Sequence, residues 1–212
     1  HQERKLWDTN PMRSNPSRDS MQTFQIIIAT VLVATLSSTP AMGKPGVVSE
    51  GNRIVMATDH VAYTVGTDGI NQSFKDLRTG KDYLLNSNDP GQFMSIQQHG
   101  TRDGTSRGGP PLEGKWTRSS AVQWHNGFLW VTFADTGIQA KIHVRTFPNY
   151  ITFNLVSLND HSITSILLAR LPLTLTKHIG RWQCRDDTFG AAVVALNIET
   201  HVFSDNITIP SE

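Results

Sequence analysis

The feature that most constrains the fold is a period of two in the hydrophobic pattern, which dominates the chain from residue 52 onward. In residues 138–145, apolar side chains take every second position and polar or charged ones fill the rest. Successive side chains of a strand point to opposite faces, so this pattern predicts strands with one buried and one wet face. The residues expected on that wet face are Gln139, Lys141, His143 and Arg145.

Turn residues separate the alternating segments at intervals of about 8 to 15 residues, the spacing typical of an antiparallel sandwich. Asp68-Gly69 divides one predicted hairpin, and Asn126-Gly127 divides another, where Asn-Gly favours a type I′ turn. No stretch argues well for a helix, and residues 189–196 (FGAAVVAL) are interpreted as a buried strand. We therefore predict an all-β, antiparallel β-sandwich, supersandwich-like, with little helix. The residues predicted to lie inside are Val61, Tyr63, Val65, Ile142, Val144, Phe153 and Leu155.

An apolar run at Ile26 to Leu36 is too short to span a bilayer and has the length of a signal-peptide core. The small residues Ala41 and Gly43 fit a signal peptidase site before Lys44. We expect residues 1–11 to be translated upstream sequence and 12–43 a signal peptide. Residues 44–212 are then one β-sandwich domain, truncated at its C-terminal end and secreted or periplasmic. An uncleaved anchor or an unusually long n-region is the competing interpretation.

Charge and metal-ligand spacing narrow the classes of partner. The formal net charge is +1 with lysines and arginines spread singly, which gives no continuous basic patch for nucleic acid or a membrane surface. Cys184 is the only cysteine, so no intrachain disulfide forms. The histidines never adopt a metal-ligand spacing, and we predict neither metal nor cofactor.

The run from Val61 to Leu85 resembles the opening hairpins of galactose-mutarotase-like β-sandwich domains, found at the N-terminus of glycoside hydrolases and polysaccharide lyases. The shared features are an Asp-Gly turn at 68–69, a strand ending in Phe74-Lys75-Asp76, and Thr79-Gly80-Lys81 before Tyr83-Leu84. The resemblance implies a sandwich that packs against a downstream catalytic domain. The mutarotases use a His acid and a Glu base on their concave sheet, and neither motif matches here. No catalytic residue is therefore predicted.

The segment from His99 to Lys115 lacks periodicity and is rich in glycine, which is typical of a functional or a disordered loop. An arginine there suits the carboxylate of a uronic acid, and a tryptophan at its exit suits the face of a sugar ring. The predicted ligand-binding residues are His99, Arg102, Asp103, Arg107 and Trp116. Docking against a catalytic domain is the alternative role for this loop. The alternation around Trp130 instead favours a position in the core.

Three functions remain open from the sequence. The preferred one is a carbohydrate-associated N-terminal domain of a secreted glycoside hydrolase or polysaccharide lyase, with catalytic carboxylates beyond residue 212. The second is a non-enzymatic exported module that binds polysaccharide or another protein. The third is a complete small enzyme, which needs an acid and base pair within these residues. The expected partners are a poly- or oligosaccharide and the downstream catalytic domain.

Overall fold

The computed structural model describes residues 25–31, 44–98, 116–179 and 183–196. Within these ranges the chain forms strands and no helix. Accordingly, the described residues include no helix that is long and apolar enough to cross a membrane. The strands are β1 (Gln25–Val31), β2 (Gly46–Glu50), β3 (Arg53–Ala57), β4 (Val61–Gly66), β5 (Asn71–Asp76), β6 (Met94–Gln98), β7 (Thr117–His125), β8 (Phe128–Phe133), β9 (Gln139–Thr146), β10 (Tyr150–Leu158), β11 (Ile163–Leu168), β12 (Lys177–Ile179), β13 (Gln183–Arg185) and β14 (Gly190–Ala195).

These strands form two antiparallel sheets. The large sheet has the order β11-β6-β7-β8-β9-β10-β1-β14-β13-β12, and the small sheet has the order β2-β3-β4-β5. Most neighbours in both sheets are consecutive in sequence, as expected where tight turns connect antiparallel strands. The predicted all-β, antiparallel sandwich is confirmed, and residues 190–195 form the predicted strand β14. The burial predicted for this segment is wrong at its C-terminal end, where Val194 is 44% exposed.

One hydrophobic core joins the two sheets. All seven residues predicted to lie inside are buried, the most exposed of them, Leu155, at 7%. Phe93, just before β6, lies between the layers, because its ring centroid is 6.4 Å from that of Tyr63 in the small sheet and 5.8 Å from that of Phe153 in the large sheet. Alternation therefore identified the core-facing residues of both sheets.

The turn between β7 and β8 fixes the register of the middle of the large sheet. Asn126 and Gly127 both have positive φ, at 49° and 83°, as a type I′ turn requires. This two-residue turn pairs Gln123 with Trp130. Trp130 is 38% exposed, so its predicted core position is wrong. The physical reason is that the alternate residues of β8, Leu129 among them, already fill the core side.

Strand β1 lies within the segment predicted as a signal peptide. It pairs with β10 on one side, where Gln25 is opposite Asn154, and with β14 on the other, where Val31 is opposite Gly190. The ladder places these residues inside the large sheet rather than at its edge. The leader itself, and its cleavage before Lys44, stay predictions.

Candidate functional site

The outward side chains of β7, β8, β9 and β10 form a surface on the large sheet that we call the outer face. Neighbouring strands are paired in register, so these side chains lie in rows across the sheet. One row contains Gln123, Trp130 and Lys141, and the next contains His125, Phe128, His143 and Asn154. A further row contains Arg145 and Thr152. The buried residues between them point into the core, which leaves the outer face to solvent.

Aromatic rings and a cation meet at the centre of the outer face. The Lys141 Nζ atom lies 4.0 Å from the ring centroid of Phe128 and 5.0 Å from that of Trp130. The rings of Phe128 and His143 are also in contact, with centroids 5.1 Å apart. Cation–π attraction holds the ammonium group over the two rings. The outer face thus presents an aromatic plane and a strong hydrogen-bond donor side by side.

His143 lies on the wet side of β9, as the alternation predicted, and is partly buried. Burial lowers the pKa of His143, and the positive charge of Arg145 lowers it further. The neutral imidazole is therefore favoured, and it carries one donor and one acceptor nitrogen. Strands β7 to β10 contain no Asp or Glu. They supply no carboxylate that could work with His143 as an acid and base pair.

The predicted binding loop is represented in the structure only by its exit. His99, Arg102, Asp103 and Arg107 lie outside the described residues, so their role stays a prediction. Trp116 is half-buried and immediately precedes β7, which carries Gln123 of the outer face. The side chains that the structure does bring together are those of Phe128, Trp130, Lys141 and His143. The Asn-Gly turn was the sequence signal that could have paired Gln123 with Trp130.

The Asp186 carboxylate is a structural group. Its Oδ2 accepts hydrogen bonds from Lys81 Nζ at 3.0 Å and from the Tyr83 hydroxyl at 2.9 Å. Its Oδ1 accepts from the backbone amides of Thr188 and Phe189, both at 2.8 Å. Burial alone raises the pKa of Asp186, but these hydrogen bonds outweigh it and hold the pKa well below the usual range of a carboxyl. Because both carboxylate oxygens accept hydrogen bonds, Asp186 holds the loop between β13 and β14 against the segment that contains Lys81.

The described side chains give little support for metal binding or for nucleophilic catalysis by a thiol. Among the described residues, no three or more His, Cys, Asp or Glu side chains stand close enough together to hold a metal ion. Cys184 is half-buried, and burial raises the pKa of its thiol, which favours the protonated form. A protonated thiol is a poor nucleophile.

No family model, curated protein or solved structure matches this chain. The class that the chain's own residues define is an antiparallel, all-β sandwich whose large sheet presents aromatic, cationic and amide side chains on one face.

Proposed function

We propose that this chain is a carbohydrate-binding β-sandwich domain from the N-terminal part of a secreted glycoside hydrolase or polysaccharide lyase, and that it binds its ligand through the outer face. The observation that carries the proposal is the cluster of the exposed Trp130 with the half-buried Phe128 and Lys141 on one face of a sheet. The predicted loop ending at Trp116 remains a second contact region within this proposal.

Sugars suit this combination of side chains. A sugar ring has apolar C–H faces that stack on aromatic planes, while its hydroxyl groups exchange hydrogen bonds with amide, imidazole and ammonium groups. Trp130 supplies an exposed aromatic plane, and the exposed amide of Gln123 lies directly opposite it on β7. Lys141 flanks the same ring on β9. An exposed sheet face with this composition fits an extended glycan.

An accessory role fits the side chains better than catalysis does. Glycoside hydrolysis ordinarily requires two carboxyl groups that flank the scissile bond. The strands of the outer face contain no carboxylate, and both oxygens of Asp186 are occupied by internal hydrogen bonds. The resemblance of residues 61–85 to domains that precede a catalytic domain supports the same assignment. The proposal therefore assigns the catalytic groups of the enzyme to another domain.

A protein-interaction module is the second candidate, and a separate observation favours it. Ile179, Val194 and Leu196, in or next to the last strands of the large sheet, are 48%, 44% and 40% exposed. Exposed apolar side chains that cluster on a surface mark contact sites for other proteins or domains. This candidate function predicts that the chain binds no glycan and that substitution of Trp130 leaves the affinity for its partner protein unchanged.

The test is a calorimetric titration of the purified chain against a panel of neutral and acidic polysaccharides, with Trp130→Ala as the variant. Loss of the stacking plane is expected to weaken binding at least about tenfold, or about 1.4 kcal/mol. The matched control is Val48→Ala, because Val48 is 50% exposed on the small sheet. Circular dichroism verifies that both variants fold. Absence of binding to every glycan, or binding that survives both Trp130→Ala and Phe128→Ala, contradicts the proposal.

A further inference from the structure

The four strands of the outer face carry charge of one sign. They contain Arg118, Lys141 and Arg145 and neither Asp nor Glu, in a chain whose overall formal charge is only +1. Acidic residues must therefore be concentrated elsewhere. Electrostatic complementarity favours an anionic ligand wherever a surface presents cations without neighbouring carboxylates.

Two of these cations are not used in internal ion pairs. Within the described residues, Arg53, Arg78, Lys81, Arg170 and Lys177 each pair with a carboxylate. Lys141 and Arg145 form no such pair with a described carboxylate, although both lie on the regular strand β9. Their charges do not serve to hold the sandwich together, and they remain available to a ligand.

The positions of these two cations suit a polymer. Lys141 and Arg145 lie on the same face of β9, four residues apart, which is about 14 Å along a strand. The rings of Phe128 and Trp130 restrict the position of the Lys141 ammonium group, so little side-chain freedom is lost on binding. Arg145 is exposed, and a guanidinium group binds a carboxylate or sulfate through two parallel hydrogen bonds.

We infer that the outer face selects acidic polysaccharides, whose sugar rings stack at Trp130 while successive carboxylate or sulfate groups pair with Lys141 and Arg145. This inference rests on the proposed function and narrows its ligand class. Single-stranded nucleic acid combines anions with aromatic stacking too. The acidic glycan is favoured because nucleic acid binding usually requires a continuous basic track, and these cations are few and separated.

The experiment compares two forms of one polymer. Polygalacturonate and its fully methyl-esterified form share the same sugar rings, and only the first is charged. Titrated calorimetrically into the intact chain, polygalacturonate is expected to bind at least about tenfold more tightly. Its binding should weaken when salt is raised from about 0.05 M to about 0.5 M.

Two charge-removing variants locate the contact. Lys141→Gln and Arg145→Gln are each expected to weaken polygalacturonate binding about fivefold to tenfold, with little effect on the neutral ester. Arg53→Gln is the matched control, because it removes an exposed cation from the small sheet and should leave binding unchanged.

The possible failures are distinct. Equal binding of the two polymer forms overturns the acidic selectivity and leaves the proposed carbohydrate function intact. Binding of neither form, together with no response to the wider glycan panel, overturns both. Polygalacturonate binding that survives both substitutions shows that the outer face is not the site. Tighter binding of single-stranded DNA at the same salt concentration overturns the inference in favour of a nucleic-acid ligand.

Discussion

The hydroxyl of Tyr63 donates a hydrogen bond of 2.6 Å to Asn71 Oδ1, and both residues are buried. The Nδ2 of Asn71 donates in turn to the carbonyl oxygens of Pro90 and Arg170, at 3.1 Å and 2.6 Å. The pair therefore joins the β4–β5 hairpin to two segments that are distant in the chain. Burial raises the pKa of Tyr63, so its hydroxyl keeps the proton that it donates.

Removing this hydroxyl should destabilise the fold. Tyr63→Phe leaves Asn71 Oδ1 buried without its donor, and an unsatisfied buried polar group costs about 1–3 kcal/mol. We expect a loss of that size in the unfolding free energy, measured by urea denaturation. Tyr150→Phe is the control, since Tyr150 is only partly buried and stacks on Phe147 through its ring. Equal stability of Tyr63→Phe and the unsubstituted chain would show that this bond contributes nothing.

The hydrogen bonds to Asp186 should make stability depend on acid pH. A carboxyl whose pKa is lower in the folded state stabilises the fold above its unfolded pKa of about 3.9, and this contribution is lost as pH falls further. We expect the unfolding free energy to decrease below about pH 4, with a smaller slope in Asp186→Asn. Some slope remains, because the amide of Ser162 also lowers the pKa of Asp160.

At neutral pH, Asp186→Asn should cost about 1–2 kcal/mol, because the amide nitrogen cannot accept the hydrogen bonds that Oδ2 accepts. The neighbouring Asp187→Asn is the matched control, since the Asp187 side chain is 86% exposed and pairs with the exposed Lys177. Chemical denaturation at pH 7 and pH 3 measures both effects. A variant that loses no stability at pH 7 would remove the structural role assigned to Asp186.

The pKa of His143 predicts how acidic glycan binding depends on pH. Its neighbours on β9 are Lys141 and Arg145, and the side chains opposite it are those of Phe128 and Asn154. None of these groups is a carboxylate, so the lowered pKa keeps His143 neutral at pH 7. Protonation of His143 as the pH is lowered should add a positive charge to the outer face and raise affinity for polygalacturonate about threefold.

Two histidine variants distinguish this contribution. His143→Gln should reduce the rise in affinity, while His178→Gln, on β12 and outside the outer face, should retain it. Calorimetric titrations at pH 7 and pH 5 supply the comparison. Affinity that stays constant across this range in the unsubstituted chain counts against His143 as a ligand contact.

Substitution of two glycines with positive φ distinguishes the cost of backbone strain from the cost of a steric collision. Gly51 and Gly69 have φ of 60° and 81°. A Cβ atom at Gly69 would lie 2.3 Å from Ser119 Oγ, whereas one at Gly51 would meet nothing within 4 Å. Gly51→Ala should cost only the left-handed backbone penalty, about 1 kcal/mol, and Gly69→Ala about 1–3 kcal/mol more. Thermal denaturation of both variants measures the difference, and equal losses would contradict it.

The sequence predicted local structure better than it predicted which strands meet. A period of two depends only on neighbouring residues, so it identified the wet face that holds Lys141 and His143. The position of Trp130 was wrong because both faces of its strand carry large apolar side chains, and composition alone does not distinguish them. The two-residue turn at Asn126 resolves the ambiguity by fixing the register.

Contacts between distant segments had no local signal. Lys81 and Asp186 are 105 residues apart in the chain, and no sequence pattern around either residue predicts their contact. The sequence also does not predict that Gln25–Val31 lies between β10 and β14, because the apolar run around it is compatible with a signal peptide as well as with a strand. The contact of Lys141 with two aromatic rings likewise required the register between β8 and β9.

Strand β1 is antiparallel to both β10 and β14, so those two strands run parallel to each other. If the chain is cleaved before Lys44 and β1 is lost, a gap is left between β10 and β14. Because these two strands run parallel, they cannot fill the gap by forming an antiparallel ladder with each other. A slot of about 10 Å, twice the usual strand spacing, would separate two rows of unpaired amides and carbonyls. Such a slot invites strand exchange between molecules. We therefore expect residues 44–212 to elute as dimers or larger species in gel filtration and to melt at a lower temperature than residues 1–212. If residues 44–212 are monomeric and as stable as residues 1–212, the slot closes without a strand from another molecule.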